Sequence, residues 1–314
     1  MVGLVNLPMG HDSLPELPLD DWEDSKRTLH LYCQVLGKIR LASQPRLNHW
    51  WHVTLYPSAS GITTGRLMCT GGAFEVRLDL LAHRLVIESG TGVEQRIELG
   101  DGLSVARFYE GAMDALASLG LNPSIALPRP FDVPGESVPF VDDRRERRYD
   151  RDAVQRYWSA LVQIDDVLRE FRGRFVGKSS PVHLFWHHMD LALARFSGRQ
   201  APVSPGAGDV ERQAYSHEVI AFGWWAGDAV VREPAFYSYT APAPDGLTDF
   251  PLAGPGANWD REKGQALLTY DAVRATPDPR KTILDFFESA YQAGARAADW
   301  PAGLDMPGDS SNTP

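Results

Sequence analysis

Phe74-Glu-Val-Arg-Leu-Asp-Leu80, then Leu85-Val-Ile-Glu88, then Val93 to Leu99 beyond the turn Gly90-Thr-Gly92, is the stretch that decides the fold. Apolar and polar residues alternate with period two in its first segment, the pattern of a strand with one buried and one wet face. The spacers between the runs are long enough only for tight turns, so consecutive strands reverse direction and form an antiparallel meander.

Working outward, Trp22 to Leu36 reads as a helix. Asp20 or Asp21 caps it, acidic residues fill its first turn, and Leu29, Tyr32, Cys33 and Leu36 share one face. Gly37 reads as its end, and the alternating run Asn48 to Tyr56 predicts a strand. Beyond the meander, Ser104 caps a helix to Leu119 that Gly120 stops. Residues 126–150 form a connection, first rich in proline and then charged; Asp142-Asp-Arg-Arg-Glu-Arg-Arg148 reads as a solvated face.

A second helix-and-strand set follows. Asp152 to about Phe171 is helical, and Pro181 to Ala194 is apolar enough for one fully buried strand or a bent pair. Glu218–Trp225, Ala235–Thr240 and Ala266–Tyr270 read as strands, and Thr282–Ala295 as a closing helix. The fold class predicted is α+β, antiparallel sheet with helices packed on one side. It comprises an extended N-terminal arm (1–20), a first half (21–125), the connection (126–150), a second half sharing its core (151–300) and a disordered tail (301–314).

The two halves suggest an internal duplication. Leu36-Gly37-Lys38, Pro45 and Trp51-His52 recur in order as Val176-Gly177-Lys178, Pro181 and Trp186-His187. A true duplication would make the two Trp-His segments symmetry mates, with both tryptophans buried and a ligand cleft between the halves.

Composition narrows the function. A net charge of −10 and a pI near 5.4 do not suit a protein that neutralises phosphates, so nucleic acid is not an expected partner. Cys33 and Cys69 stand alone, which argues against disulfide frameworks and thiolate zinc sites. No apolar run reaches the roughly 20 residues of a membrane span, and Met1 to Ser13 does not read as a signal peptide, so the expected setting is the cytoplasm.

Several catalytic patterns fail on inspection. Arg172-Gly-Arg-Phe-Val-Gly-Lys-Ser179 has one residue too few between its glycines for a phosphate loop and follows a helix instead of a strand. G-x-S-x-G and H-E-x-x-H are both missing. The run Phe185-Trp-His-His-Met-Asp190 is the densest in ligating groups. His188 and Asp190 at i, i+2, completed by His217, would make a two-His-one-carboxylate metal site; His183 and His187, joined by His52, are the alternative. Against both stands the ordinary reading of a neutral core histidine bonded to a carbonyl or carboxylate. Arg195 and Arg199 can grip an anionic substrate or pair with acids of the chain, and Tyr215-Ser-His217-Glu218 adds groups suited to proton transfer.

Asp21-Trp-Glu-Asp24, Asn48-His-Trp-Trp-His52, Gly177-Lys-Ser-Ser-Pro-Val-His183, Arg195-Phe-Ser-Gly-Arg199, Tyr215-Ser-His-Glu218 and Pro234-Ala-Phe-Tyr237 together resemble an uncharacterised bacterial family of the domain-of-unknown-function series, family 5996. The resemblance runs from about Trp22 to the last helix and implies no activity or cofactor. His52, His183, Asp190, His217 and Glu218 match the family's pattern, whereas small residues stand there in place of His187 and His188, which weakens the His188–Asp190 metal pair. The functional expectation is a small-molecule enzyme with its pocket between the halves, with a divalent metal as a conceivable cofactor. Its catalytic groups would be His217, Glu218, His52 and His183. Arg195, Arg199, Lys178, Tyr215, Trp51 and Trp186 would hold the substrate, and His183, His188, Asp190 and His217 are the metal candidates. The rival expectation is a non-catalytic binding protein whose Trp-lined cavity takes an aromatic or apolar ligand.

Overall fold

Two antiparallel six-stranded sheets and six α-helices make up residues 13–202 and 206–306, which the computed structural model describes. The meander is there as read. β4 (Gly72–Asp79), β5 (Arg84–Ser89) and β6 (Glu94–Glu98) pair in sequence, with Val76, Leu78, Leu85 and Ile87 buried on one face. The short strands β1 (Tyr56–Ser58) and β2 (Gly61–Thr63) extend the sheet beyond β4, and β3 (Leu67–Cys69) also pairs with β4.

Helix α1 (Glu23–Ser43) runs one and a half turns past Gly37. Gly37 is a packing notch, not a stop: a Cβ there would lie 2.4 Å from three atoms of the Trp186 indole. Every residue from Leu31 to Arg40 is buried, so this part of the helix is enclosed on all sides. Helix α2 (Val105–Ser118) starts on the Ser104 hydroxyl, which accepts from the Arg107 N–H, and the chain leaves it through Gly120 at φ 71°.

The charged run 142–148 departs from a solvated face. Arg145 and Arg147 reach Glu136 and Asp143, which are buried (6% and 4% exposed), so part of the run is an inward-facing ion cluster. Helix α3 (Arg151–Gly173) is capped by Asp150.

The second sheet has the order β11-β12-β10-β9-β8-β7. Its strands are β7 (His183–Phe185), β8 (Asp190–Gln200), β9 (His217–Trp225), β10 (Ala235–Ala241), β11 (Asn258–Asp260) and β12 (Gln265–Thr269). Pro181–Ala194 is thus the bent pair. Its inner face, with Leu184, Leu191, Leu193, Phe222, Trp224, Phe236 and Leu268, joins the core with α3 and α6 (Pro279–Ala297). The short helices α4 (Asp209–Ala214) and α5 (Tyr270–Arg274) lie where the sequence reading assigned no helix; Tyr270, read as the end of a strand, opens α5.

Three expectations are corrected. Asn48–Tyr56 is not a strand: it is a tight turn in which His49 and Trp50 take φ values of 55° and 60°, and only Tyr56 enters the sheet. The N-terminal arm was read as lying on the surface, but in its described part, residues 13–20, Leu14, Leu17 and Leu19 are buried; its residues 1–12 fall outside the described part. The C-terminal segment is ordered to Met306, its Leu304 and Met306 bonding Val176 and Arg174, and the remainder of the predicted tail lies outside the described residues.

The equivalences behind the duplication are also not realised. Gly37 is within a helix and Gly177 in a loop, while Trp51 sits in the 48–51 turn and Trp186 in the β7–β8 turn. Trp186 is 1% exposed, but Trp51 is only half-buried. What recurs is the coarse order of helix, antiparallel sheet and helix. The halves share a core: Leu55 and Leu184 exchange backbone hydrogen bonds of 2.9 and 2.8 Å, and the Trp186 indole N–H donates to the Val53 carbonyl at 2.7 Å.

Candidate functional site

The outer face of the second sheet, turned away from α3 and α6, gathers most of the chemistry. Strict alternation assigns Asp190, Ala192, Ala194 and Phe196 of β8, Ala221, Gly223 and Trp225 of β9, and Tyr237 and Tyr239 of β10 to this face. His183 and Phe185 of β7 join them, since His183 pairs with Ala192 and Phe185 with Asp190. On a single strand His183 and Asp190 would point to opposite faces. The turn 186–189, with Met189 at φ 57°, reverses the chain and brings both to one side.

The two central strands carry small side chains on this face, Ala192, Ala194 and Ala221, beside the larger groups. Tyr237 leans across Gly223, where a Cβ would come 2.4 Å from its ring, and its hydroxyl donates to Asp190 Oδ2 at 2.6 Å. Tyr239 stacks on Tyr237 at 6.1 Å between ring centroids, and its hydroxyl bonds that of Tyr215 at 3.0 Å. Burial raises the Asp190 carboxyl above the usual aspartate value even though the Tyr237 hydrogen bond acts the other way. Among the described residues no Arg or Lys forms an ion pair with Asp190. His183 is 1% exposed and its Nδ1 has no hydrogen-bond partner; burial, with Arg40 nearby, lowers it to about 3, so the ring is neutral.

One end of this face is closed by the turn at 48–51. His49 lies 4.5 Å from the Phe196 ring, 5.1 Å from Trp51 and 5.7 Å from His217, centroid to centroid. Its Nδ1 contacts the Ala214 carbonyl at 3.2 Å, which requires N–H there. Nε2 is therefore the acceptor, and the Lys178 ammonium donates to it at 2.7 Å. Lys178 also stands over the Trp51 and Phe196 rings. Of the residues picked out in the sequence, His217, Tyr215, Lys178 and Trp51 thus meet at this end.

The others go elsewhere. Glu218 and Arg195 were expected beside His217, but both project to the opposite face of the sheet. Arg195 is 0% exposed, its guanidinium carbon 3.6 Å from the Phe171 ring centroid and 4.5 Å from that of Tyr291, with Nη2 donating to the Phe171 carbonyl. Burial lowers its pKa to about 10. It is a core cation with no route to a substrate. Arg199 is a tie: it bonds Glu218 at 2.9 Å and caps the end of α6 through the Ala298 and Asp299 carbonyls at 2.6 and 2.9 Å. His52 is buried within its own turn, where its Nδ1 accepts from the Leu47 N–H at 3.2 Å. Trp186 packs on α1, and His188 is exposed beside Asp132.

The metal reading does not survive this placement. His183, His188, Asp190 and His217 are not drawn together, and among the described residues no three His, Cys, Asp or Glu side chains are grouped to hold a metal. Nor is any described helix long and apolar enough to cross a membrane.

Sequence reasoning passed over Tyr237 and Tyr239 as site residues, and His49. The tyrosines were detectable, since Ala235-Phe-Tyr-Ser-Tyr239 sets them at i, i+2 on the face opposite Phe236. His49 was not, because its place depends on positive φ values at two non-glycine residues. No curated protein and no solved structure matches the chain. The model of a family of unknown function (DUF5996) matches residues 14–305, nearly the whole length, and the chain belongs to that family.

Proposed function

We propose that the protein is an enzyme acting on a small molecule that lies along the outer face of the second sheet, with Asp190 and Tyr237 as its proton-transfer pair. The observation that carries this reading is the carboxyl of Asp190. It has a raised pKa, no cationic partner among the described residues and a 2.6 Å bond from Tyr237. A carboxyl raised by burial and bonded to a phenol that burial holds protonated is suited to serve as a general acid or base. The stacked Tyr237 and Tyr239, with Trp225 5.8 Å from Tyr237, offer π-faces to a flat, largely apolar substrate. His217 and the His49–Lys178 pair add polar groups at the other end.

The rival reading, a binding protein without catalysis, requires a mostly apolar face with one or two anchors. The number of titratable groups here favours the enzyme. Asp190→Asn and Tyr237→Phe keep shape and should keep the fold. Small molecules that co-purify with the protein are identified by mass spectrometry, and their turnover is followed with the purified protein. Under the enzyme reading, each variant retains ligand and loses about 10²–10⁴-fold in rate, the contribution of a general acid or base. Ligand retained by wild type with no turnover would leave a binding protein. Ligand that binds equally well when Tyr239 and Trp225 are both replaced by Ala would place the site elsewhere.

A further inference from the structure

Lys178 differs from the other exposed lysines of the chain. Lys263 pairs with Asp260 at 3.6 Å and Lys281 with Asp285 at 2.6 Å. Lys178 has no carboxylate within ion-pair distance among the described residues, and its Nζ is directed instead at an imidazole, Nε2 of His49 at 2.7 Å. Both partners are fixed by the fold. The Lys178 carbonyl accepts from the Phe196 N–H at 3.0 Å and Ser179 forms a bridge with Arg195, which pins the loop to β8. His49 is 5% exposed, packed against the Phe196 and Trp51 rings and oriented through Nδ1 by the Ala214 carbonyl. Burial lowers its pKa, so the ring is neutral at neutral pH.

An amine, an imidazole nitrogen aimed at it and a third group that orients the imidazole make up the arrangement of an activated nucleophile. A surface lysine beside an acid is held as the ammonium ion, which has no lone pair to donate. At Lys178 no acid does so, and loss of water against the rings lowers its pKa. The cation–π contacts with Trp51 and Phe196 act the other way but do not reverse that direction. Exposure leaves the amine open to a solute, and the half-buried Trp51, its ring centroid 5.6 Å from Nζ, presents an aromatic surface beside it.

We propose that Lys178 is a nucleophile that captures the carbonyl group of an aldehyde or ketone as an imine, with His49 as its acid–base partner and Trp51 against the aromatic part of the ligand. The free amine adds to the carbonyl carbon, forming the C–N bond while the π pair moves to oxygen. Two protons then travel from nitrogen to oxygen by way of His49 Nε2, one after the addition and one as the hydroxyl departs as water and the C=N bond forms. Amine and carbonyl become imine and water, with no oxidant or reductant. Phe196, beside Lys178, stands about 20 Å along β8 from Asp190 at the usual rise of a strand. The site therefore needs neither Asp190 nor Tyr237 and stands or falls separately from that proton-transfer pair.

The full chain is incubated with benzaldehyde or acetaldehyde in the presence of sodium cyanoborohydride, which traps imines as secondary amines, and peptide mass spectrometry follows each of the five lysines. With benzaldehyde, Lys178 should be alkylated at least about tenfold faster than Lys263 and Lys281, the exposed lysines that an acid holds charged. The preference should be smaller with acetaldehyde, which has no ring to lie on Trp51. His49→Asn tolerates the positive φ of that position, keeps a donor toward the Ala214 carbonyl and removes Nε2. It should slow Lys178 by about tenfold or more while Lys263 and Lys281 react as before. A role of His49 in folding alone would shift the melting curve and leave the Lys178 rate, relative to the other two, where it was. Lys178 reacting no faster than Lys263 and Lys281 in wild type overturns the proposal whatever the variant does, and so does a folded His49→Asn with an unchanged Lys178 rate. A preference no greater with benzaldehyde than with acetaldehyde overturns the part given to Trp51.

Discussion

Acidification from pH 6.5 to pH 4 is expected to remove much of the protein's stability, with at least three histidines responsible. Burial lowers His30 and His187 to about 4 and His183 to about 3. In the unfolded chain a histidine binds its proton near pH 6.5. Below that pH the unfolded state therefore holds more protons than the fold, and each depressed group contributes stability that is full above pH 6.5 and lost as pH falls through its folded value. The slope is up to about 1.4 kcal/mol per pH unit for each histidine. Asp190 and Asp165 work in the opposite sense, since their raised pKa values favour the fold at low pH, but they are two groups against these three histidines and the further lowered His49, His52 and His83. Urea titrations at half-unit steps between pH 7 and 4.5 read the slope directly. His183→Leu, which keeps an apolar side chain in a site without a hydrogen-bond partner at Nδ1, should flatten it by about one proton. A denaturation midpoint that does not move between pH 6.5 and 5 would mean that these rings are protonated inside the fold.

The second large effect concerns Gly37 and Trp186. Trp186→Ala should cost about 3–5 kcal/mol, because the indole is 1% exposed, packs on α1 and bonds the Val53 carbonyl. Gly37→Ala should cost about 1–3 kcal/mol or more, since the added methyl would start 2.4 Å from the ring. In an open helix the same substitution would stabilise by up to about 1 kcal/mol. The two changes should not add. With Ala at 186 the methyl has room, and the penalty at position 37 should shrink to nothing or reverse, a coupling of about 1–3 kcal/mol in a double-mutant cycle. Additive losses would show that the glycine matters for some reason other than the indole. Trp51→Ala, at a half-buried ring, should cost clearly less than Trp186→Ala.

Gly37 also illustrates where reading from sequence stops. Glycine after an apolar stripe commonly ends a helix, and nothing local reveals that a tryptophan 149 positions later needs the space. The meander around Phe74, the helix capped by Ser104, the helix read from Asp152 and the apolar β9 and β10 were legible because their patterns are short-range and periodic. The strand assigned to Asn48–Tyr56 was wrong for the converse reason: alternation of Trp and His imitated a strand, while two residues with positive φ made a turn. For the site, residue types were legible but their sides were not. His217 and Glu218 are neighbours in sequence and part company on the sheet, and Arg195, which seemed a substrate clamp, is enclosed by Phe171, Phe175 and Tyr291. The aromatic pair Tyr237 and Tyr239 could have been placed by counting in twos. The turn that puts Asp190 within reach of Tyr237 could not.

The backbone pairing of Leu55 with Leu184 has a consequence for synthesis. The partner of Leu55 is made 129 residues later, and the buried start of the chain is fastened later still, where Tyr270 and Arg274 donate to the carbonyls of Pro15 and Leu14 at 2.9 and 3.1 Å. The meander has all its own strands once about a third of the polypeptide has been translated, yet neither its border with Leu184 nor the leucines of the first segment can be covered by then. Contacts this distant in sequence slow folding, and a nascent first half leaving the ribosome holds apolar surface open until the second is almost complete. Translation halted near residue 150 should therefore yield a chain that binds chaperones, whereas a chain released beyond residue 300 should not.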